Sequence, residues 1–323
     1  MPRRARLFIP GCCHHIMARG IDGLAIFTTD AERERFISLL AEHAKKTGTA
    51  CYAWSLMPNH YHLLVRCSEK PLGTMMKPLN SRYATFFNKR HNRRGYLFQD
   101  RFKSIATQDQ GYLEELIRYV HLNPLRAGLC RDLNELDVYP WCGHAALMGT
   151  HSQRFQDVAT VLRRFGKTAS ISRQKYRAFL EEGIGEISAQ HIEQLRLSLR
   201  KEQDREEPGM WVIGDPAFVR KALQADRNRR LALANYAREG WTIERICACV
   251  ASQMNVDTVR IRRRARGDDA SACRKAVAYL ACRVLGMPVV SIARYFDIGG
   301  SAVSMMANAG ETVVKKSGIQ LTD

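Results

Sequence analysis

Met57-Pro58-Asn59-His60-Tyr61-His62-Leu63-Leu64-Val65 is the stretch whose reading decides how the first half of this chain folds. Residues 60–66 alternate at the period of a strand, and 50–56 before them form a second apolar run, so 57–59 reads as the turn of a hairpin. On the N-terminal side, 12–17 reads as a strand with a turn near Gly20 and Gly23. Thr29 or Asp30 then caps a helix to about Lys46, with Phe36, Leu39, Leu40 and His43 at helical spacing. On the C-terminal side a helix is expected over about 72–89, a basic loop after it, and a strand over 102–107. The next helix starts near Gln108 and must end before Pro124, because proline disfavours helical geometry in the residue before it. Strand, helix, two strands, helix, strand, helix predicts an α+β unit: a ferredoxin-like antiparallel sheet covered by helices.

The whole chain has 323 residues and 46% hydrophobic content, enough for two buried cores. Residues 1–150 are expected to form the first domain, 151–208 a helical connector with helices near 157–165 and 187–203, and 209–323 an all-α second domain. The charge-rich run 201–207 before Pro208-Gly209 is the linker candidate. Fifty Lys plus Arg against 32 Asp plus Glu give a formal charge of +18, a field that draws polyanions. Nucleic acid is therefore the leading partner class. Ten scattered cysteines without a CxxC pair read as reduced, mostly buried thiols, not as a disulfide scaffold or zinc ribbon. The opening residues are basic but lack a signal-peptide core, and the longest apolar stretch, 276–293, is interrupted by Arg283, Gly286 and Pro288. No membrane association is expected, and a cytoplasmic, nucleoid-associated location is.

Chemistry concentrates at the hairpin. On a strand, side chains two apart leave the same side about 6.6 Å from each other, so His60 and His62 can converge on one divalent ion while Tyr61 points into the sheet. A third donor has to come from elsewhere. Tyr119 and Asn123 lie four apart on one helix face, where they form either the rest of such a site or a core aromatic with a C-terminal cap.

Three motifs carry a family resemblance: Met57 to Val65 as quoted, Phe98-Gln-Asp-Arg-Phe-Lys-Ser104, and Leu116-Ile-Arg-Tyr-Val-His-Leu-Asn-Pro-Leu-Arg-Ala-Gly-Leu129. Over about residues 8–148 the chain resembles the single-tyrosine HUH transposases of the insertion sequence 200-like group, and within these the REP-associated tyrosine transposases. One departure is His14, where members of that family commonly carry tyrosine. The resemblance implies that His60 and His62 are metal ligands, Asn123 their helix-borne companion and Tyr119 the nucleophile, with Tyr112 in reserve. It implies a Mg²⁺- or Mn²⁺-dependent enzyme that cuts and rejoins hairpin-forming single-stranded DNA through a 5′-phosphotyrosine. Two imidazoles and an amide are softer than an ideal magnesium cage and lean towards manganese. Monomer and homodimer both remain open. A DNA-binding regulator with weak or no cleavage and a hydrolase using water in place of tyrosine are the competing functions.

DNA contacts are expected from Arg82, Arg90, Arg93, Arg94, Arg101 and Lys103, which alternate with Tyr83, Phe86, Phe87, Tyr96, Phe98 and Phe102. Phe86, Phe87 and Phe102 read as core, so the cations carry this expectation. In the C-terminal unit, a long helix from about 271 and a shorter one over 290–296 precede Gly299-Gly300, and a last helix begins at Ser301. This is a helix-turn-helix pattern that would set Ser301 and Ser304 in a major groove. Residues 256–309 are similar to the DNA-binding domain of the replication initiator DnaA, without its charged reading motif. Arg260, Arg262, Arg263, Arg264 and Arg266 just before it are expected to meet duplex phosphates.

Overall fold

The computed structural model describes residue 7 and residues 9–68, 70–109, 111–184, 211–238, 240–262 and 268–321. The chain divides into two compact units, Met1–Asp226 and Arg227–Asp323. The expected helix over 187–203 and the linker over 201–209 lie outside the described residues.

The first unit is built on β1 (Cys13–Arg19), α1 (Asp30–Thr47), β2 (Ala50–Met57), β3 (His60–Arg66), α2 (Leu72–Arg90), β4 (Lys103–Thr107) and α3 (Leu113–His121). β3 lies between β2 and β1, and β1 between β3 and β4, all antiparallel, which is the predicted ferredoxin-like arrangement. A fifth strand, β5 (Trp211–Ile213), joins β4 in parallel, so the sheet is mixed where an antiparallel one was expected. Burial explains the addition. Val212 packs with Leu7, Cys12, Ala106 and Ala222 and Ile213 is buried beside it in the strand, and three residues are too few to show a period. The same packing places residues 211–226 in the first unit, whereas the sequence put the boundary at 209.

α1 begins at a capping box: the Glu32 carboxylate accepts from the Thr28 and Thr29 N–H groups at 2.7 and 3.2 Å. It ends at Gly48, whose φ of +67° is left-handed. Its inner side buries Phe36, Leu39 and Leu40 with Phe27, Tyr61 and Tyr83, so α1 and α2 seal one face of the sheet.

On the opposite face α3 buries Leu113, Leu116, Ile117 and Val120. The short helix α4 (Asn123–Arg126) follows, with Pro124 at its start, and α3 ends before that proline as predicted. Next come α5 (Leu133–Val138), α6 (His144–Met148), α7 (Val158–Leu162) and α8 (Ala169–Glu182). Leu136, Leu147, Val161, Tyr176 and Leu180 share one core with α3. Residues 158–182 are thus part of this layer and not a connector standing apart from it.

The boundary between the units falls within α9 (Pro216–Arg238), and the second unit continues with α10 (Ile243–Met254), α11 (Thr258–Arg262), α12 (Asp268–Tyr279), α13 (Val289–Tyr295) and α14 (Gly300–Ser317). Ile246, Val250, Ile261, Val277, Ile292, Phe296 and Val303 form its core. A Cβ added at Gly310 of α14 would sit 1.9 Å from the Lys275 carbonyl oxygen of α12, so the close crossing of these helices requires glycine. No helix among the described residues is long and apolar enough to cross a membrane. The ten cysteines are unpaired, as their scatter suggested.

Candidate active site

Strand alternation sorts β3 into two sides. Tyr61, Leu63 and Val65 enter the core under α1 and α2, while Leu64 belongs to the core under α3, and with it, by the period of two, go His60 and His62. Directly paired residues on antiparallel strands share a face, so register extends the site sideways. Ser55, His62, Met17 and Lys103 form one row across β2, β3, β1 and β4, and Met57, His60 and Arg19 form the next.

The His60 and His62 rings lie edge-on, centroids 5.0 Å apart and planes at 85°. α3 brings Tyr119 against them, 5.8 Å from His62 and 5.7 Å from His15, again edge-on. Arg126 of α4 places its guanidinium 5.6 Å from the centre of the Tyr119 ring. The Asn123 amide nitrogen donates to the carbonyls of Tyr119 (2.8 Å) and Val120 (3.3 Å), which turns its oxygen to the other side. Hence the structure brings His60, His62 and Tyr119 together and hangs Asn123 from the backbone of Tyr119.

The donor chemistry suits a divalent ion. His60 Nδ1 lies 2.7 Å from the Asn59 side-chain oxygen. That oxygen only accepts, so Nδ1 carries the proton and Nε2 keeps its lone pair. Burial, helped by the nearby Arg19 charge, holds the His60 imidazole below its ordinary pKa and favours the neutral, ligating form. Beside His62, the Ser55 hydroxyl is buried with no hydrogen-bond partner, an orphan that a hydrated ion would satisfy. Among the described residues no three His, Cys, Asp or Glu side chains form a group that could hold a metal ion.

Beneath α3 a second polar set is sealed. Tyr176 Oη lies 2.7 Å from His121 Nδ1 and 2.9 Å from His144 Nδ1, and His144 Nε2 lies 2.6 Å from Asp137, which Arg177 also holds. Burial drives the pKa of both imidazoles down, and His121 Nε2 has no partner.

The expected DNA contacts divide. Arg82 is paired with Glu42 at 2.6 Å on α2, across the sheet from Tyr119, and does not belong to the site. Arg90 leans towards the buried Glu32 carboxylate at 3.5 Å on the same side. Arg93 is half-buried, whereas Arg94 and Arg101 are exposed. Lys103 is exposed in the His62 row. The loop bearing these arginines is pinned beside the end of β1. Ile21 N–H donates to the Leu97 carbonyl (2.9 Å), Gln99 N–H to that of Arg19 (3.0 Å), and the Asn88 amide to that of Gly95 (2.8 Å). Tyr96 stands 85% exposed on it, while Phe87 and Phe102 are core as predicted.

Three members of the site went unread in the sequence: Arg19, His15 and Ser55. The signal for the first two is period two along β1, which sends His15, Met17 and Arg19 to the α3 side and His14 to the other. There His14 is buried, its pKa pushed down to about 4.

In the second unit, 296–299 join α13 to α14, which starts at Gly300, one residue ahead of the expected Ser301. Ser301 is exposed, and the Ser304 hydroxyl donates to the Gly300 carbonyl at 3.0 Å, leaving it only as an acceptor for other groups. Arg260 is exposed, and Arg262 lies over the Tyr295 ring at 4.8 Å. Arg263, Arg264 and Arg266 lie outside the described residues.

Residues 9–123 match the family model described as Transposase IS200 like. The match spans β1 to Asn123, so it contains His15, Ser55, His60, His62, Tyr119 and Asn123, and it supports a transposase function. The resemblance read from the three motifs is borne out over this segment. Among solved structures, that of a REP-associated tyrosine transposase bound to a REP hairpin is 14% identical, with a TM-score of 0.38, and covers 49% of this chain and 93% of its own. No curated protein matches the chain.

Proposed function

We propose that the first unit is a metal-dependent single-strand DNA endonuclease and strand transferase that works on hairpin-forming DNA, with Tyr119 as nucleophile. The observation that supports this best is the Tyr119 ring standing 5.8 Å from His62, which in turn faces His60 at 5.0 Å. His60 and His62 would hold Mg²⁺ or Mn²⁺ through their Nε2 atoms and Asn123 through its oxygen. When bound, the ion supplies positive charge to the scissile phosphate and lowers the barrier to attack. Tyr119 Oη bonds to phosphorus, the bond from phosphorus to the 3′-oxygen breaks, and the phenol proton ends on that departing oxygen. The products are a 5′-phosphotyrosine and a free 3′-hydroxyl. Because the phosphoester is kept, a second 3′-hydroxyl can reverse the step and join strands without ATP. Arg126, which lies 5.6 Å from the Tyr119 ring, and Lys103, in the His62 row, would supply cations to the reacting phosphate.

Arg93, Arg94 and Arg101 would follow the backbone of the single strand, with Tyr96 as a stacking platform. The second unit would hold duplex DNA through α13 and α14 as a helix-turn-helix, with Ser301 at the groove and Arg260 and Arg262 on phosphates. The functional domains then run from 1 to about 226 and from 227 to the end, on the scaffold similar to the initiator's.

The test is incubation of labelled single-stranded hairpins with the protein and Mn²⁺, read on a denaturing gel. A covalent protein-DNA band is expected that disappears in Tyr119→Phe and His60→Ala. Cleavage without an adduct would favour a hydrolase, and binding without cleavage a regulator.

A further inference from the structure

Resting on the reading of His60 and His62 as the metal pair, we propose that His15 is a positioning residue that fixes the tautomer and ring orientation of His62. His15 Nε2 lies 2.9 Å from His62 Nδ1. Their planes differ by only 24°, with centroids 5.1 Å apart, as in two imidazoles bonded edge to edge through one proton. Both rings are buried, His15 completely and His62 to 5% exposure, so water does not compete for that proton. His15 sits on β1 in the middle of the sheet, paired with Leu64 on one side and Ile105 on the other, and its backbone has little room to shift.

The proton count then has one solution that leaves His62 able to ligate. A neutral imidazole has one N–H and one lone pair. With Nδ1 facing His15, His62 presents a lone pair at Nε2 only if its proton is on Nδ1 and is donated to Nε2 of His15. His15 must in turn carry its own proton on Nδ1. His60 is arranged the same way by a different group, since its Nδ1 meets the Asn59 oxygen at 2.7 Å. Each ligand ring thus has a partner behind it, Asn59 for one and His15 for the other, and outer partners of this kind set ligand orientation and basicity. Without His15, Nδ1 of His62 loses the acceptor that keeps its proton there, and the opposite tautomer, which has no lone pair at Nε2, gains population. His14, the neighbouring histidine, cannot substitute because the strand sends it to the other face.

The decisive measurement is Mn²⁺ affinity by calorimetry on the full chain without DNA, for the wild type, His60→Ala, His15→Phe and His15→Gln. His15→Phe keeps a ring but no acceptor and is expected to bind about 10- to 100-fold more weakly. His15→Gln, whose amide oxygen can accept the Nδ1 proton, restores most of that loss. Wild-type affinity in His15→Phe, or a folded His15→Gln no better than His15→Phe, would overturn the positioning role. A wild type that does not bind Mn²⁺, or a His60→Ala that binds it equally well, instead removes the function proposed above. A second readout does not depend on any variant folding: ¹⁵N-detected tautomer shifts in the metal-free wild type should show His62 protonated at Nδ1. A proton at Nε2 would refute the assignment.

Discussion

The two faces of the first unit's sheet are made of different material. Under α1 and α2, Phe27, Phe36, Tyr61 and Tyr83 pack ring against ring at 4.7 to 5.3 Å, and the two tyrosine hydroxyls are used on Asn80 and the Ile26 carbonyl. Under α3, the same strands present His15, His60, His62 and Ser55 to Tyr119, backed by His121, Tyr176, His144 and Asp137. Burying polar groups costs stability unless each finds a partner, and Ser55 and His121 on this side each retain an orphaned atom, as His14 does on the other. The α1 and α2 side is held mainly by aromatic packing, whereas the α3 side gathers its polar groups around Tyr119, an arrangement that makes sense if something is to be bound there.

The sharpest contrast comes from substituting one aromatic on each side. Phe36→Ala empties the centre of the ring cluster and should cost about 3–5 kcal/mol in urea unfolding. Tyr119→Phe removes one hydroxyl from a half-buried ring and should change stability by no more than about 1 kcal/mol while eliminating the DNA adduct. If Tyr119→Phe melts the protein as deeply as Phe36→Ala does, the division into a holding face and a working face is wrong.

Acid acts on both faces. His14 is held near pKa 4 by burial, and His121 and His144 are pushed down by the same cause. Each therefore takes up a proton at lower pH in the folded chain than in the unfolded one, where protonation sets in below about 6.5. Between those limits the unfolded state binds more protons, so stability is complete above pH 6.5 and falls as pH drops, for His14 down to about 4 at up to about 1.4 kcal/mol per unit. Urea midpoints at pH 7.5, 6 and 5 measure this fall. A flat profile would mean that these imidazoles are not buried as neutral groups.

A smaller effect isolates the polar layer under α3. A Cβ on Gly143 would lie 2.8 and 2.9 Å from the Gln156 side-chain amide and 2.9 Å from His121 Nε2. Gln156 cannot move aside easily, since it bonds the Trp54 indole and the carbonyls of Tyr52 and Gly143. Gly143→Ala should cost about 1–3 kcal/mol, read from the urea midpoint. No measurable loss would show that the layer is loosely packed.

Sequence reasoning reached the holding face more easily than the working one. The β3 alternation and the spacing of Phe36, Leu39 and Leu40 are local signals, and they placed β1 to β4, α1 and α2 within a few residues. His60, His62, Tyr119 and Asn123 were also legible, through strand and helix periods and a motif resemblance. What escaped is set by register between strands distant in sequence. His15 meets His62 across 47 positions, Ser55 faces it through the hairpin, and Arg19 pairs with His60. β5 escaped for a related reason: its parallel partner is about 100 residues away and its length is three. The Glu42 partner of Arg82 escaped as well, because a basic residue on an amphipathic helix has the same composition whether it faces DNA or a carboxylate.

That last pair gives the smallest and most selective difference. Arg94 is exposed on the loop pinned to the end of β1, whereas Arg82 already has its charge engaged by Glu42, whose carboxyl is held down to about 2 by Lys46 and Arg82. A cation that contacts a single-strand phosphate releases a counterion on binding, and losing it lowers the slope of log affinity against log salt by about 0.7. Arg94→Ala should show that reduction in a salt titration of single-stranded DNA binding, together with a few-fold weaker affinity at low salt. Arg82→Ala should leave slope and affinity unchanged, because its charge is already engaged by Glu42. Equal losses in the two variants would put DNA on both faces, and the asymmetry between them would then be one of packing alone.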